Sequence, residues 1–373
     1  MNIVQFAQFV FGLLFLVAGA ELLVRSAAGM ARDLGVAPVI VGLTVVAFGT
    51  SAPELAISIR AVLAGQGAIA VGNVVGSNIA NLLLIIGLAA AIVPLRVSAK
   101  VVRHEVPIMV VVSLLAFLLA ANGFIGRAEG LLLVVLLVAY VAFQVFEARR
   151  ANRATRREYA EEYPVPDLPH KGGTLKRLAL LVAGLGVMLL GANWLVESAS
   201  ALARALGVSE LVIGLTIVAV GTSAPELATS LVAAQRGQRD IAVGNAIGSN
   251  VFNLLCVLGI TAFVAPAPLQ IPQAALAFDL PVMVAAAIAC LPIFWTRYTV
   301  RRWEGLLFLA YYAVYLAWLL LSATAHEMLP RFSTAMLFFV VPLTALGLLF
   351  SLLVELRRRR SERVVVETTG VQP

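Results

Sequence analysis

Charge is scarce in this chain: 13% of its 373 residues are Asp, Glu, Lys or Arg, against 61% hydrophobic residues and a mean hydropathy of +0.98. A soluble domain of this length could not wet such a surface, so the composition excludes one and indicates a polytopic membrane protein. Cysteine is limited to Cys256 and Cys290, both in apolar stretches with neither CxxC spacing nor His partners. They point to no metal site or redox compartment, and buried filler is the reading. His104, His170 and His326 fall at loops or span ends without metal spacing and receive no role. A basic leader and small-residue cleavage site are also missing from the first residues, so the first apolar span is expected to be retained. The net charge of +7 does not indicate nucleic acid. The basic residues cluster between apolar runs, a pattern that orients helices in a lipid bilayer.

A window of about 20 apolar residues places spans near 4–24, 38–64, 69–93, 102–121 and 127–147. A second set falls near 176–201, 210–234, 241–265, 273–294 and 304–322, with an extra span near 333–355. Residues 148–175 are first Arg-rich, then Glu-rich, then carry Pro164, Pro166 and Pro169. They are read as a solvated cytoplasmic linker, being too short for a folded domain.

Residues 19–87 recur without a gap at 191–259, and about 40 of the 69 aligned pairs are identical. The match is too long for chance and marks an internal duplication. With the N-terminus outside, only Arg60, Arg127, Arg204 and Arg331 of the 27 basic residues fall outside. This bias sets the C-terminus inside. Equivalent points of the two copies are then five spans apart, an odd number, so the copies lie in opposite orientation. The expected fold is an all-α polytopic membrane protein: two inverted-topology five-helix repeats forming a ten-helix core, plus an eleventh C-terminal transmembrane helix. The segments are 1–147, the linker 148–175, 176–322, and 323–373 with its basic tail. Glu105-Val106-Pro107 and Asp279-Leu280-Pro281 extend the repeat weakly into the fourth and ninth spans.

The chemistry sits in the best-matched stretch. Thr50, Glu54 and Ser58 are spaced by four and share a helical face, with Ser51 three residues before Glu54. Pro53 cannot donate to the Gly49 carbonyl, so backbone oxygens are freed at the depth of the carboxylate. Asn73, Ser77 and Asn81 repeat the spacing of four in the third span. The second copy supplies Thr222, Ser223, Glu226 and Ser230, then Asn245, Ser249 and Asn253. Small polar residues in membrane helices often serve packing alone, and a proline is often only a kink. Duplicated Pro-Glu pairs in inverted halves, flanked by stacked Asn and Ser, favour a cation site instead. Glu21 is different: four residues before Arg25 and matched by Asn193, it reads as an interfacial ion pair. An all-oxygen set suits Ca2+ or Na+ rather than zinc or copper. Two Glu could neutralise one divalent ion or hold two protons. No nucleophile-base pair or phosphate loop sits at membrane depth, so an enzyme is not expected, and no cofactor is.

GLTVVAFGTSAPELA (42–56) with VGNVVGSNIANLL (71–83), and GLTIVAVGTSAPELA (214–228) with VGNAIGSNVFNLL (243–255), resemble the two α-repeats of the cation/calcium exchangers. Within that superfamily the sequence is most similar to the prokaryotic sodium/calcium exchanger branch, over spans one to ten. The α-repeat motifs then occupy 42–83 and 214–255. The resemblance implies that Glu54 and Glu226 coordinate Ca2+, helped by Asn81, Asn253, Ser77, Ser249 and carbonyls near Thr50 and Thr222. Sodium would share those groups and add Thr50, Ser51, Thr222 and Ser223. It also implies alternating access by sliding of the first and sixth helices. The chain departs from the pattern at Asn253, where some sodium/calcium exchangers carry Asp, and in its eleventh helix. The expected function is Ca2+/Na+ antiport across a cytoplasmic membrane. Proton/calcium antiport is the second reading and a passive cation channel the third. Oligomeric state is not indicated.

Overall fold

Backbone N–H and C=O groups have no water to bond in lipid, so a chain this apolar is confined to helices that satisfy them internally. The computed structural model describes residues 3–34, 36–150, 174–206, 219–324, 326–336 and 342. Its helices are α1 (Ile3–Leu34), α2 (Pro38–Leu63), α3 (Gly67–Ile92), α4 (Val101–Ala120) and α5 (Arg127–Arg150). They continue as α6 (Thr174–Ala205), α7 (Ala219–Thr222 and Ala224–Gln235), α8 (Arg239–Val264), α9 (Ala275–Trp295) and α10 (Arg302–Ala323). A short α11 (Leu329–Ala335) follows. Among the described residues, nine helices are long and apolar enough to cross a membrane.

The first and sixth helices are longer than the hydropathy windows suggested. The windows stop where Arg25 and Arg32, or Arg204, lower the local average, whereas the helical backbone continues through them. The first part of the seventh span, most of the linker and most of the eleventh span lie outside the described residues.

Two pairs of short strands tie the loops. β1 (Leu95–Arg96) pairs antiparallel with β4 (Thr299–Val300), and β2 (Phe124–Ile125) pairs antiparallel with β3 (Leu269–Gln270). β1 precedes α4 and β4 follows α9, while β2 follows α4 and β3 precedes α9. The two helices, which pack together, therefore run in opposite directions.

α1 and α6 also run antiparallel, in backbone contact. A Cβ placed on Gly12 would meet Leu195 N at 2.8 Å, and one on Gly191 would meet Leu16 N at 2.4 Å and Gly12 O at 2.7 Å. Gly19 and Gly184 make the same approach one stretch away, where a Cβ on Gly19 would lie 2.6 Å from Gly184 O. Only glycine permits such proximity, the small-residue mode of helix association in membranes.

The core is formed by α3 and α8. In α8 every residue from Asp240 to Phe252 is buried, a polarity and burial pattern that no lipid-facing helix shows. Both helices pass into π-helical turns, Ala80–Ile86 and Asn253–Leu258. α4 and α9 also begin with π segments, Val101–Glu105 and Ala275–Asp279. The carboxylates at the ends of these segments are treated alike. Tyr140 donates to Glu105 at 3.1 Å and Tyr315 donates to Asp279 at 3.1 Å, which supports the weak sequence match between the two regions.

Candidate cation-binding site

Two helices are interrupted at equivalent positions. Pro53 and Pro225 have no N–H for the carbonyl four residues back. Short helices end at Thr50 and Thr222, and Ser51 (φ −82°, ψ 1°) and Ser223 (φ −91°, ψ 10°) turn the chain before helix resumes at Ala52 and Ala224. Glu54 and Glu226 thus lie in the first turn of a new 12-residue helix. The peptide dipole there favours a negative group.

Each break is pinned to the next helix by an asparagine. Asn73 Nδ2 donates to the Glu54 carbonyl at 3.1 Å and to Ser58 Oγ at 3.0 Å. Asn245 Nδ2 donates to the Glu226 carbonyl at 3.2 Å and to Ser230 Oγ at 3.0 Å. Ser58 and Ser230 share a helical face with the glutamates, as their spacing predicts, but their hydroxyl oxygens are engaged by this clamp. The same holds for the amide nitrogens of Asn73 and Asn245.

The two motifs meet. Thr50 Oγ1 donates to Asn245 Oδ1 at 3.1 Å and lies 3.4 Å from Ser249 Oγ. Ser51 Oγ donates to Glu226 Oε1 at 3.4 Å, and Ser223 Oγ donates to Ser77 Oγ at 3.3 Å. Asn81 Nδ2 donates to Asn250 Oδ1 at 3.0 Å. Thr50, Ser51, Glu54, Ser77, Asn81, Ser223, Glu226, Ser249 and Asn253, nine of the ten expected ligands, are all buried, and the hydrogen bonds above bring Thr50, Ser51, Ser77, Ser223, Glu226 and Ser249 of the two motifs against one another. The tenth, Thr222, is half-buried and lines a cleft of about 360 Å³ with Pro53, Asn193, Glu197, Ser200 and Arg204.

Several buried oxygens in this region have no hydrogen-bond partner among the described residues: both of Glu54, Oε2 of Glu226, Oδ1 of Asn81 and Oδ1 of Asn253. The Ser77 hydroxyl is near Glu54 without making a hydrogen bond that satisfies it. Buried polar atoms are normally paired, and a buried carboxylate left alone costs several kcal/mol. Carboxylate, amide and hydroxyl oxygens converging without a counter-charged side chain form the donor set of a hard cation, with six to eight contacts typical for Ca2+.

Glu21, expected in an ion pair, makes two. It accepts from Arg25 at 2.5 Å on its own helix and from Arg236 at 2.6 Å, which ties α1 to the end of α7. Cys256 and Cys290 are buried and unbonded, as filler would be. Asn78 and Asn250 escaped the sequence reading because they fall off the spacing of four that linked Asn73, Ser77 and Asn81. The one sequence signal they carry is their identity in both copies.

Residues 4–146 and 176–321 match the family model described as sodium/calcium exchanger protein. Sodium/calcium exchanger MaX1 of Methanosarcina acetivorans is 35% identical over 346 residues, covering 85% of this chain and 98% of that protein. Inner membrane protein YrbG of Escherichia coli is 39% identical over 291 residues, covering 78% of this chain and 89% of that one. Among solved structures, the sodium-calcium exchanger NCX_Mj superposes with a TM-score of 0.72 at 30% identity, covering 85% of this chain and 99% of the other. Two of these three relatives, MaX1 and NCX_Mj, are named as exchangers, which are transporters rather than enzymes. Two motif copies around one oxygen-rich site, nine membrane-length helices and a family match over both halves make this chain a multi-pass membrane protein of the sodium/calcium exchanger family, in its prokaryotic branch.

Proposed function

We propose that the protein is a sodium-driven calcium antiporter of a cytoplasmic membrane, working by alternating access, with Glu54 and Glu226 as the primary Ca2+ ligands. The observation that carries this reading is the set of buried, unpartnered oxygens contributed by both motif copies, whose helices hydrogen-bond to each other. Asn81, Asn253, Ser77 and Ser249 complete the Ca2+ shell with carbonyls near Thr50 and Thr222. Na+ uses the same groups with Thr50, Ser51, Thr222 and Ser223. A proton-coupled site would need only the two carboxylates, so neutral oxygens in this number favour a second dehydrated cation.

Inverted repeats are supported by the strand pairing. β1 and β3 occupy equivalent loops of the two copies, yet β1 pairs with β4, which lies one helix beyond β3. Loops that pair lie on one side of the membrane, so the loops of β1 and β3 lie on opposite sides. The antiparallel packing of α1 on α6 supports the same reading. With the N-terminus outside, the cleft beside Thr222 opens outward, because α6 ends on that face. On the inner face the Glu21–Arg236 ion pair ties α1 to the end of α7. Access from one side only is what distinguishes an exchanger from a pore.

The test is Ca2+ uptake into sealed vesicles preloaded with Na+ or with K+ at matched pH, then with an imposed pH gradient and no Na+. Uptake driven by internal Na+ is expected. Uptake that follows the pH gradient and ignores Na+ would assign proton antiport, and uptake indifferent to both would assign a channel.

A further inference from the structure

The direction of the Asn81 side chain is set by a relay of two amides. Asn250 Nδ2 donates to the backbone carbonyl of Asn78 at 3.2 Å, with Met109 Sδ a further neighbour at 3.7 Å. A carbonyl oxygen has no proton to give, so this contact decides which end of the Asn250 amide faces Asn78. Oδ1 of Asn250 is left toward Asn81, and Asn81 meets it with Nδ2 at 3.0 Å. The atom turned the other way is Asn81 Oδ1, buried and without a partner.

We propose that Asn250 is a positioning residue of the cation site, holding the Asn81 carbonyl oxygen toward the ion at Glu54 and Glu226. This rests on the reading of that site given above. Asn250 does not touch the ion, since its own oxygen is occupied by Asn81. The relay also fixes the chemistry at position 81. A carboxylate there would set oxygen against oxygen at Asn250, and Asn250 could turn only by giving up the Asn78 carbonyl. Position 81 is therefore held to a neutral amide.

The other half of the molecule lacks the relay. By the repeat, Asn253 corresponds to Asn81, Asn78 to Asn250 and Asn250 to Asn78. Yet Asn253 Oδ1 and Nδ2 and Asn78 Oδ1 all lack partners, and Asn78 Nδ2 is spent on the Val74 carbonyl at 2.7 Å. One amide ligand is thus aimed in advance and its counterpart is not.

The experiment is a double-mutant cycle on the full-length protein in proteoliposomes, reading the Ca2+ concentration for half-maximal uptake and the maximal rate. Asn81→Ala should raise the half-saturating concentration. Asn250→Ala should raise it about tenfold, the equivalent of one misdirected polar contact, with the maximal rate changed by less than about twofold. The double variant should be no worse than Asn81→Ala, because no carbonyl remains to be aimed. Full additivity, or a loss of rate at unchanged affinity, would overturn the positioning role while leaving the site intact. An Asn81→Ala variant with native affinity would overturn the site reading itself, and the positioning role with it. Should Asn250→Ala fail to insert, Asn250→Thr and Asn250→Val settle the matter. The Thr hydroxyl can donate to Asn78 and accept from Asn81, whereas Val has the same shape and can do neither. Near-native affinity in Thr alone supports the relay, and equal affinity in both refutes it.

Discussion

At Glu54 and Glu226, burial and unmet hydrogen bonding act on the same two carboxylates. Both are buried, and three of their four carboxylate oxygens lack a partner among the described residues. Charge in this setting persists only when a cation or proton compensates it. Gln keeps the volume and removes the charge. Glu54→Gln and Glu226→Gln are each expected to abolish Ca2+ uptake while the detergent-purified protein stays monodisperse and melts no lower than the native form. Near-normal flux in either variant would show that the carboxylates are not ligands. The residues around them divide into two kinds that sequence spacing could not separate. Asn73 and Asn245 share motif and spacing with Asn81 and Asn253, yet the first pair clamps the helix breaks with both amide hydrogens and the second leaves its carbonyls free.

Among the elements, the interface of α1 with α6 is the one most exposed to a single substitution. Its close approaches are backbone to backbone, so an added side chain has no flexible neighbour to push aside. Gly191→Val would place a branched Cβ 2.4 Å from Leu16 N and 2.7 Å from Gly12 O. Overpacking of this kind costs about 1–3 kcal/mol or separates the helices. The variant should lower the melting temperature in detergent and reduce the Ca2+ uptake rate. Gly186→Ala, at a position on the same helix where a Cβ meets nothing within 4 Å, should leave both near native. Equal behaviour of the two would show that the interface does not depend on glycine contact. Helix existence was legible from apolar runs, because lipid imposes that length on every span. The π segments were not legible, since a one-residue widening of the helix leaves no mark on hydropathy.

For the whole molecule, opposed repeats require that equivalent loops face opposite solutions. Ala68 lies in the first turn of α3, just past the α2–α3 loop, and Gln235 ends α7, and both are exposed. In a background lacking Cys256 and Cys290, Ala68→Cys should react with an impermeant thiol reagent from outside and Gln235→Cys only from inside. Labelling of both from one side would end the inverted-repeat reading. The paired strands make the opposite result hard to accommodate, because β1–β4 and β2–β3 each need their two loops on one face.

By itself the sequence determined the membrane class, the duplication and the identity of the oxygen-bearing side chains. Each of these is written locally, as apolar runs, as about 40 identities in 69 pairs, or as Pro beside Glu. Tertiary structure decided which oxygens are left without a hydrogen-bond partner. Thr50 with Asn245, Ser51 with Glu226, Ser223 with Ser77 and Asn81 with Asn250 join residues between 146 and 195 positions apart. No spacing rule reaches that far. Whether an amide clamps a helix or faces a cation depends on which donor the other repeat brings against it, and that is fixed only when α3 and α8 pack side by side in the core.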